Sequence, residues 1–306
     1  MAMTDPIKIG TRDSELATWQ AKTVAGLLEK NGIQTEILFI KSEGDLDLTT
    51  PLTELGGKGV FTKALDDALI DGTIDLAVHS YKDLPTENPL PLKVSAILER
   101  EDPRDALVAP GGISFMDDDT LPAVIATSSN RRKAQWLHRF PNHKISNIRG
   151  NVNTRLRKVH ENSWQGAIFA AAGLKRINLD HHISEYLDWM VPAPAQGAIA
   201  VMIRENDERT EKLTRPLNHD ETDLCTKIER DLLNEMEAGC SAPVGAYAFI
   251  RENKVHFYAV ALKIDGSLQY DIELSAPVDQ SGDLGRKAAR DLLAKGASEL
   301  VENLKK

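Results

Sequence analysis

The sequence predicts an α/β protein of two similar lobes followed by a small α+β domain, and three observations carry that expectation. Short apolar runs alternate with helical periodicity twice over, from Ile7 to Leu98 and again from Val124 to Arg176, the rhythm of parallel sheets. Two proline-bearing segments, Glu99 to Arg104 and Pro192 to Gly197, bracket the second stretch, as two crossings between lobes require. From Asn218 onward one helix and a run of alternating strands are segregated rather than interleaved, which marks an α+β unit. The expected boundaries are 1–99 with 198–217 for the N-terminal lobe, 100–197 for the central lobe and 218–306 for the last domain.

Taken in order, Ile7 to Gly10 reads as a short strand. Thr11-Arg12-Asp13-Ser14 leads into a helix whose apolar arc holds Leu16, Ala17, Ala21, Val24 and Leu27, closed by Gly32. Gln20 falls inside that arc, so its amide must be hydrogen-bonded, either bracing the fold or facing a site near the helix start. Glu36 to Ile40 is the second strand. Gly56-Gly57-Lys58-Gly59-Val60-Phe61 precedes a helix to about Asp71. Three glycines around one lysine can bring backbone N–H groups and an ammonium to an anion, without the spacing of a P-loop. Ile74 to Val78 is a buried strand ending in His79-Ser80-Tyr81-Lys82-Asp83-Leu84-Pro85. Lys82 and Asp83 therefore stand at the carboxyl end of a parallel strand, where open α/β sheets bind ligands. Val94 to Leu98 is a further strand before the first crossing.

The central lobe repeats the pattern. Val124 to Ala126 is a strand, Thr127-Ser128-Ser129 caps a helix carrying Arg131 and Arg132, Ile145 to Ile148 is a strand, and Asn151 opens a helix carrying Arg155. Ala167 to Ala170 leads to Ala172-Gly173-Leu174-Lys175-Arg176. Arg149, Arg155 and Arg176 fall near strand ends or helix starts, which favours one shared anion site. Ala198 to Ile203 returns the chain to the first lobe. In the last domain a helix spans Glu221 to Met236, strands lie at about 245–251, 254–262 and 268–275, and one helix runs from Gly282 to Leu304 with Leu284, Ala288, Leu292 and Val301 on one face.

With 42% hydrophobic and 27% charged residues in 306, the chain has the composition of a soluble globular protein of two or three domains. No segment approaches the ~18 apolar residues of a membrane span, and the first ten residues lack the apolar run of a signal peptide. The expected compartment is the cytoplasm, with no membrane partner. Two cysteines exclude a disulfide framework. A net charge of -9 argues against nucleic acid as a partner. Yet between Arg131 and Arg176 the only acid is Glu161, a basic island suited to a polyanionic small molecule. No histidine spacing suits a metal: His181 and His182 are an adjacent pair and the others are scattered.

Cys240 sits in Glu237-Ala238-Gly239-Cys240-Ser241-Ala242-Pro243-Val244-Gly245, a loop at a helix-to-strand junction, while Cys225 falls inside a helical run and reads as core. Three readings are open on these residues alone. Two lobes joined by two crossings also describe periplasmic-type binding proteins, although the last domain and Cys240 do not belong to that plan. A thiol-dependent hydrolase needs a base, for which His79 is available but not placed near Cys240. The third reading is an enzyme with a cationic pocket for a polyanionic small molecule and Cys240 as its reactive thiol.

The motifs favour the third. Thr-Arg-Asp-Ser-Glu-Leu-Ala (11–17), Gly-Gly-Lys-Gly-Val-Phe (56–61), Ala-Val-His-Ser-Tyr-Lys-Asp-Leu-Pro (77–85), Glu-Arg-Glu-Asp-Pro-Arg-Asp-Ala (99–106), Ala-Thr-Ser-Ser-Asn-Arg-Arg (126–132), Arg-Gly-Asn-Val-Asn-Thr-Arg-Leu (149–156), Ala-Gly-Leu-Lys-Arg (172–176) and Gly-Cys-Ser-Ala-Pro-Val-Gly-Ala-Tyr (239–247) together resemble the porphobilinogen deaminase (hydroxymethylbilane synthase) family, in order and over nearly the whole chain.

The resemblance implies two periplasmic-binding-protein-like lobes and a transferase of haem biosynthesis. Such an enzyme joins four porphobilinogen molecules head to tail with loss of ammonia, on a dipyrromethane cofactor held by a thioether to Cys240. It implies Asp83 as the catalytic carboxylate. Cofactor contacts would come from Lys82, Asp83, Ser14, Ser128, Arg131, Arg132 and Arg155. Substrate contacts would come from Arg12, Gln20, Arg149, Arg176, Lys58, Phe61 and Gln196. Two carboxylates per pyrrole suit bidentate guanidinium groups. The resemblance further implies a monomer and a mobile loop over about 45–59. Glu54, Ala126, Asn130, Ala195 and Ala238 depart from the residues common in that family. None removes an implied site charge except at position 54, where a basic residue is common.

Overall fold

The computed structural model describes residues 5–41, 62–87, 89–118, 120–238, 242–297 and 299–300. The segment 42–61, with the expected mobile loop, Lys58 and Phe61, lies outside them, as does Cys240. The chain divides into two compact units, residues 1–101 with 198–223 and residues 102–197 with 224–306.

The first unit holds strands β1 (Ile7–Thr11), β2 (Thr35–Phe39), β3 (Leu76–Ser80), β4 (Leu92–Ile97) and β10 (Ile199–Arg204) in the sheet order β2-β1-β3-β10-β4. β1 pairs in parallel with β2 and β3, whereas β10 runs antiparallel to β3 and β4. Helix α1 (Glu15–Lys30) packs on one face. Its buried stripe is Gln20, Ala21, Val24, Ala25 and Leu28, one residue round from the arc expected from Leu16, Ala17 and Leu27, because the helix meets the sheet through an i, i+4, i+8 row. Helix α2 (Lys63–Ile70) covers the opposite face through Leu65 and Leu69. Gly10 lets α2 approach the sheet, since a side chain there would collide with Ile74 and Leu65.

In the second unit, β5 (Asp105–Val108), β6 (Val124–Ala126), β7 (Lys144–Ser146), β8 (Gly166–Ala170) and β9 (Glu185–Tyr186) form a sheet of order β7-β6-β8-β5-β9. Again three strands are parallel and the fourth position is antiparallel. In each sheet that fourth strand is the one that arrives by a crossing: β5 follows the first and β10 the second. This shared topology builds the two lobes. β5 and β9 were not expected as strands; the short Ala106-Leu107-Val108 run was hidden behind the polar crossing before it.

Helices α3 (Asn130–Arg139), α4 (Val152–Glu161) and α5 (Ala171–Arg176) follow β6, β7 and β8. Trp136 of α3 is fully buried and tilts against Phe140 and Trp189. A further helix not expected from sequence, α6 (Glu208–Thr214), precedes α7 (Asp220–Glu235).

The last sheet is the antiparallel meander β11 (Val244–Arg251), β12 (Lys254–Leu262) and β13 (Gln269–Pro277). Its inner face, with Phe257 and Val255, packs on Ile228 and Leu232 of α7 and on Ala288 and Leu292 of α8 (Leu284–Leu292). Cys225 is buried in this core. The single helix expected from Gly282 to Leu304 is kinked: α8 passes into a wide turn at Leu293–Ala297, where Gly296 takes φ 112° against the Tyr270 ring, and residues 299–300 are again helical. Among the described residues no helix is long and apolar enough to cross a membrane.

Candidate active site

In the first unit the side chains that the family resemblance singles out stand where parallel strands end. β1 ends at Thr11, whose hydroxyl donates to the Ala17 carbonyl (3.1 Å), and Arg12 follows, half-buried. Ser14 caps α1 by accepting from the Ala17 N–H (3.4 Å). β3 ends at Ser80, which accepts from the Gln20 amide at 2.8 Å. The polar residue inside the helical arc thus braces the end of β3. A single 3-10 turn, Tyr81–Asp83, comes next, fastened by Tyr81 N–H to the Ala198 carbonyl (3.0 Å) and by the fully buried Leu84. The turn leaves the Asp83 carboxylate exposed beside the half-buried Lys82.

His79, just before this turn, is buried, and its Nε2 has no partner among the described residues. Burial, aided by the Arg12 charge, lowers its pKa from 6.5 to about 4. The imidazole is therefore neutral at neutral pH.

The second unit contains the arginine cluster. Arg131 Nη1 and Nη2 donate to the two oxygens of Asp105 at 2.6 and 3.3 Å. Arg132 Nε donates to Asp105 Oδ1 at 2.9 Å, and its Nη2 lies 2.7 Å from the same oxygen. Further bonds fix both guanidiniums, from Arg131 to the Val191 carbonyl (2.9 Å) and from Arg132 to the Ile168 carbonyl (2.9 Å). Asp105 is fully buried. Burial alone would raise its carboxyl, but the charges of Arg131 and Arg132, with hydrogen bonds from Arg131 and Gln196, outweigh this and hold it below the usual carboxylate range. Both guanidiniums thus share the Asp105 carboxylate.

Gln196 is also fully buried, donating to the Pro103 carbonyl (2.7 Å) and to Asp105 (3.0 Å). Ser129, not Ser128, caps α3. The Ser128 hydroxyl donates to the Ile148 carbonyl (2.8 Å) and accepts from its N–H (3.0 Å), tying the start of α3 to the chain after β7.

Arg149 follows β7, and Gly150 turns the chain into α4 at φ 113°. Arg155, in the first turns of α4, donates from Nε to the Gly150 carbonyl (2.7 Å). Arg176 sits in the last turn of α5 rather than at a strand end, and its Nη2 donates to the Gly197 carbonyl at 2.6 Å. Asp102, beside the cluster in sequence, is held low despite burial by hydrogen bonds from Arg104 and Lys175.

Sequence reasoning missed Asp105. Its signal was available: a carboxylate heading an apolar run right after Pro103-Arg104, in a strand too short to register by alternation. Glu229 was missed too, as one more acid in a charged helix.

The pattern suits anionic ligands. Arg131 Nε and Arg149 Nη1 are buried N–H groups with no partner among the described residues. Such donors are costly to leave unmet and call for acceptors. A carboxylate-bearing group such as a dipyrromethane fits that donor set, with Arg131, Arg132, Arg149 and Arg155 as the residues able to hold it.

Comparison with known proteins agrees with this chemistry. Residues 7–212 match the family model described as porphobilinogen deaminase, dipyromethane cofactor binding domain, and residues 223–294 match porphobilinogen deaminase, C-terminal domain. Porphobilinogen deaminase of Syntrophotalea carbinolica is 44% identical over 304 residues, covering 97% of this chain and 96% of that protein. That of Chloroherpeton thalassium is 41% identical, covering 96% of each. Among solved structures, a periplasmic substrate-binding protein of an ABC transporter from Coxiella burnetii overlaps 73% of this chain and 96% of its own, at 13% identity and a TM-score of 0.43. No part of the assignment rests on that distant likeness. Motif order, an arginine cluster and two family matches spanning most of the chain converge: this protein belongs to the porphobilinogen deaminase family.

Proposed function

We propose that the chain is a hydroxymethylbilane synthase that condenses four porphobilinogen molecules, releasing ammonia, into the linear tetrapyrrole of haem biosynthesis. The observation that carries the reading is the Asp105-pinned arginine pair in a chain that matches a dipyrromethane cofactor binding domain. When bound through a thioether to Cys240, the dipyrromethane supplies the nucleophilic carbon that starts the chain.

The remaining work falls to this chain's own side chains. Asp83, exposed at the end of β3, lies against the substrate's pyrrole N–H, steadies the positive charge left as ammonia departs and carries protons to and from that centre. Lys82 adds a cationic contact beside it. Arg131, Arg132 and Arg155, with Ser14 and Ser128, hold cofactor carboxylates. Arg12, Gln20, Arg149, Arg176, Lys58 and Phe61 receive the incoming substrate. Gln196, buried against Asp105, serves the site from behind. A three-domain division at 99, 197 and 217, a monomer and a cytoplasmic location complete the reading.

Intact-protein mass spectrometry tests it. The wild-type chain should exceed its sequence mass by two porphobilinogen units less their ammonia, and Cys240→Ser should lack the increment. Asp83→Ala should fold and carry almost no turnover. An active wild-type chain of unmodified mass, or normal turnover in the Asp83 variant, overturns the assignment.

A further inference from the structure

Glu229 lies on the buried side of α7 and is fully enclosed. One carboxylate oxygen accepts the N–H of Ala248 on β11 (2.8 Å) and the other accepts the N–H of Ala195 (2.6 Å). β11 is the edge of its sheet, and the second crossing runs beside that edge: Ala246 N–H donates to the Pro192 carbonyl (3.0 Å). Gly245 permits the approach, because a side chain there would come within 2.7 Å of the Val191 carbonyl.

Residues 195–197 each hold something different. Ala195 gives its N–H to Glu229 while in the left-handed region at φ 61°. Gln196 bonds Asp105, the counter-ion of Arg131 and Arg132. Gly197 accepts from Arg176. A carboxylate is suited to position 229 because both its oxygens accept, so it serves two backbone donors at once; an amide offers one acceptor only.

We propose that Glu229 is a positioning residue: by clamping the 195–197 turn against β11 it sets the register of the guanidiniums of Arg131, Arg132 and Arg176. The idea rests on the functional reading above.

The test is Glu229→Gln in the full chain, with Leu292→Ala in the core of the last domain as a destabilised control. Glu229→Gln should fold and carry the mass increment. Its KM for porphobilinogen should rise about tenfold, the scale of a small misplacement of binding groups, with kcat changed far less. Adding Gln196→Ala to it should cost less than Gln196→Ala costs alone. An unchanged KM, a matching KM rise in Leu292→Ala, or strict additivity overturns the proposal. If Glu229→Gln does not fold, Glu229→Asp, too short to reach both donors, takes its place under the same criteria; failure of both to fold assigns Glu229 a purely structural role. A wild-type chain without increment or turnover would instead remove the functional reading.

Discussion

Replacing Asp105 by Asn removes a charge shared by two buried guanidiniums. Asp105 has no exposure, and Arg131 and Arg132 are nearly as enclosed, so water cannot substitute for the lost carboxylate. An asparagine can accept from one guanidinium, but its NH₂ then faces the other. Breaking a buried ion pair by removing one partner costs about 3–5 kcal/mol. For a unit of about 180 residues each kcal/mol shifts the melting temperature by about 2–4 °C, so a drop of about 10 °C is expected. Calorimetry with hydrogen exchange measures it, and lost protection should centre on β5, β8 and α3. Acid sensitivity supplies a second arm. The folded carboxyl lies below its unfolded value of about 3.9, so its contribution is complete above about pH 4 and is lost as pH falls further. The wild type should show that loss in full and the Asn variant only the part due to Asp102, which is also held low. A destabilisation under about 1 kcal/mol would refute the picture of a dry, Asp105-dependent cluster.

Two other outcomes follow from the same structure. His79 titrates at about 4 when folded and at 6.5 when not, so folding loses stability as pH falls from 6.5 towards 4, by up to about 3 kcal/mol; His79→Asn should flatten that part of the urea-midpoint profile, and an unaltered slope would contradict it. Gly296→Ala forces a side chain into the left-handed region 2.7 Å from Tyr270 Oη, which should cost about 1–3 kcal/mol in denaturant titration, whereas an unchanged midpoint would mean that the kink after α8 does not need the glycine.

Much of this protein was legible before any coordinates. Apolar runs placed β1, β3, β6, β8 and β10 because strands buried on both faces carry their signal in every residue. The polar run Thr11–Ser14 and the stop at Gly32 bounded α1, and Gln20 betrayed itself as a polar residue on an apolar arc. Motif order named the family. Short elements were less legible: β5 and β9 have too few residues for periodicity to speak, and the kink at Gly296 after α8 is packed against Tyr270, distant in sequence.

The sequence by itself determined the composition of the site, its basic island, the carboxylate at the end of β3 and the cysteine loop, since these are chemical identities fixed residue by residue. Only the tertiary structure decided who balances whom. Asp105 meets Arg131 and Arg132 across more than twenty residues, Gln196 reaches Asp105 from the far crossing, and Glu229 joins Ala195 to Ala248. Such pairings are selected by burial: once water is excluded, each charge and N–H must find its partner wherever the packed chain brings one.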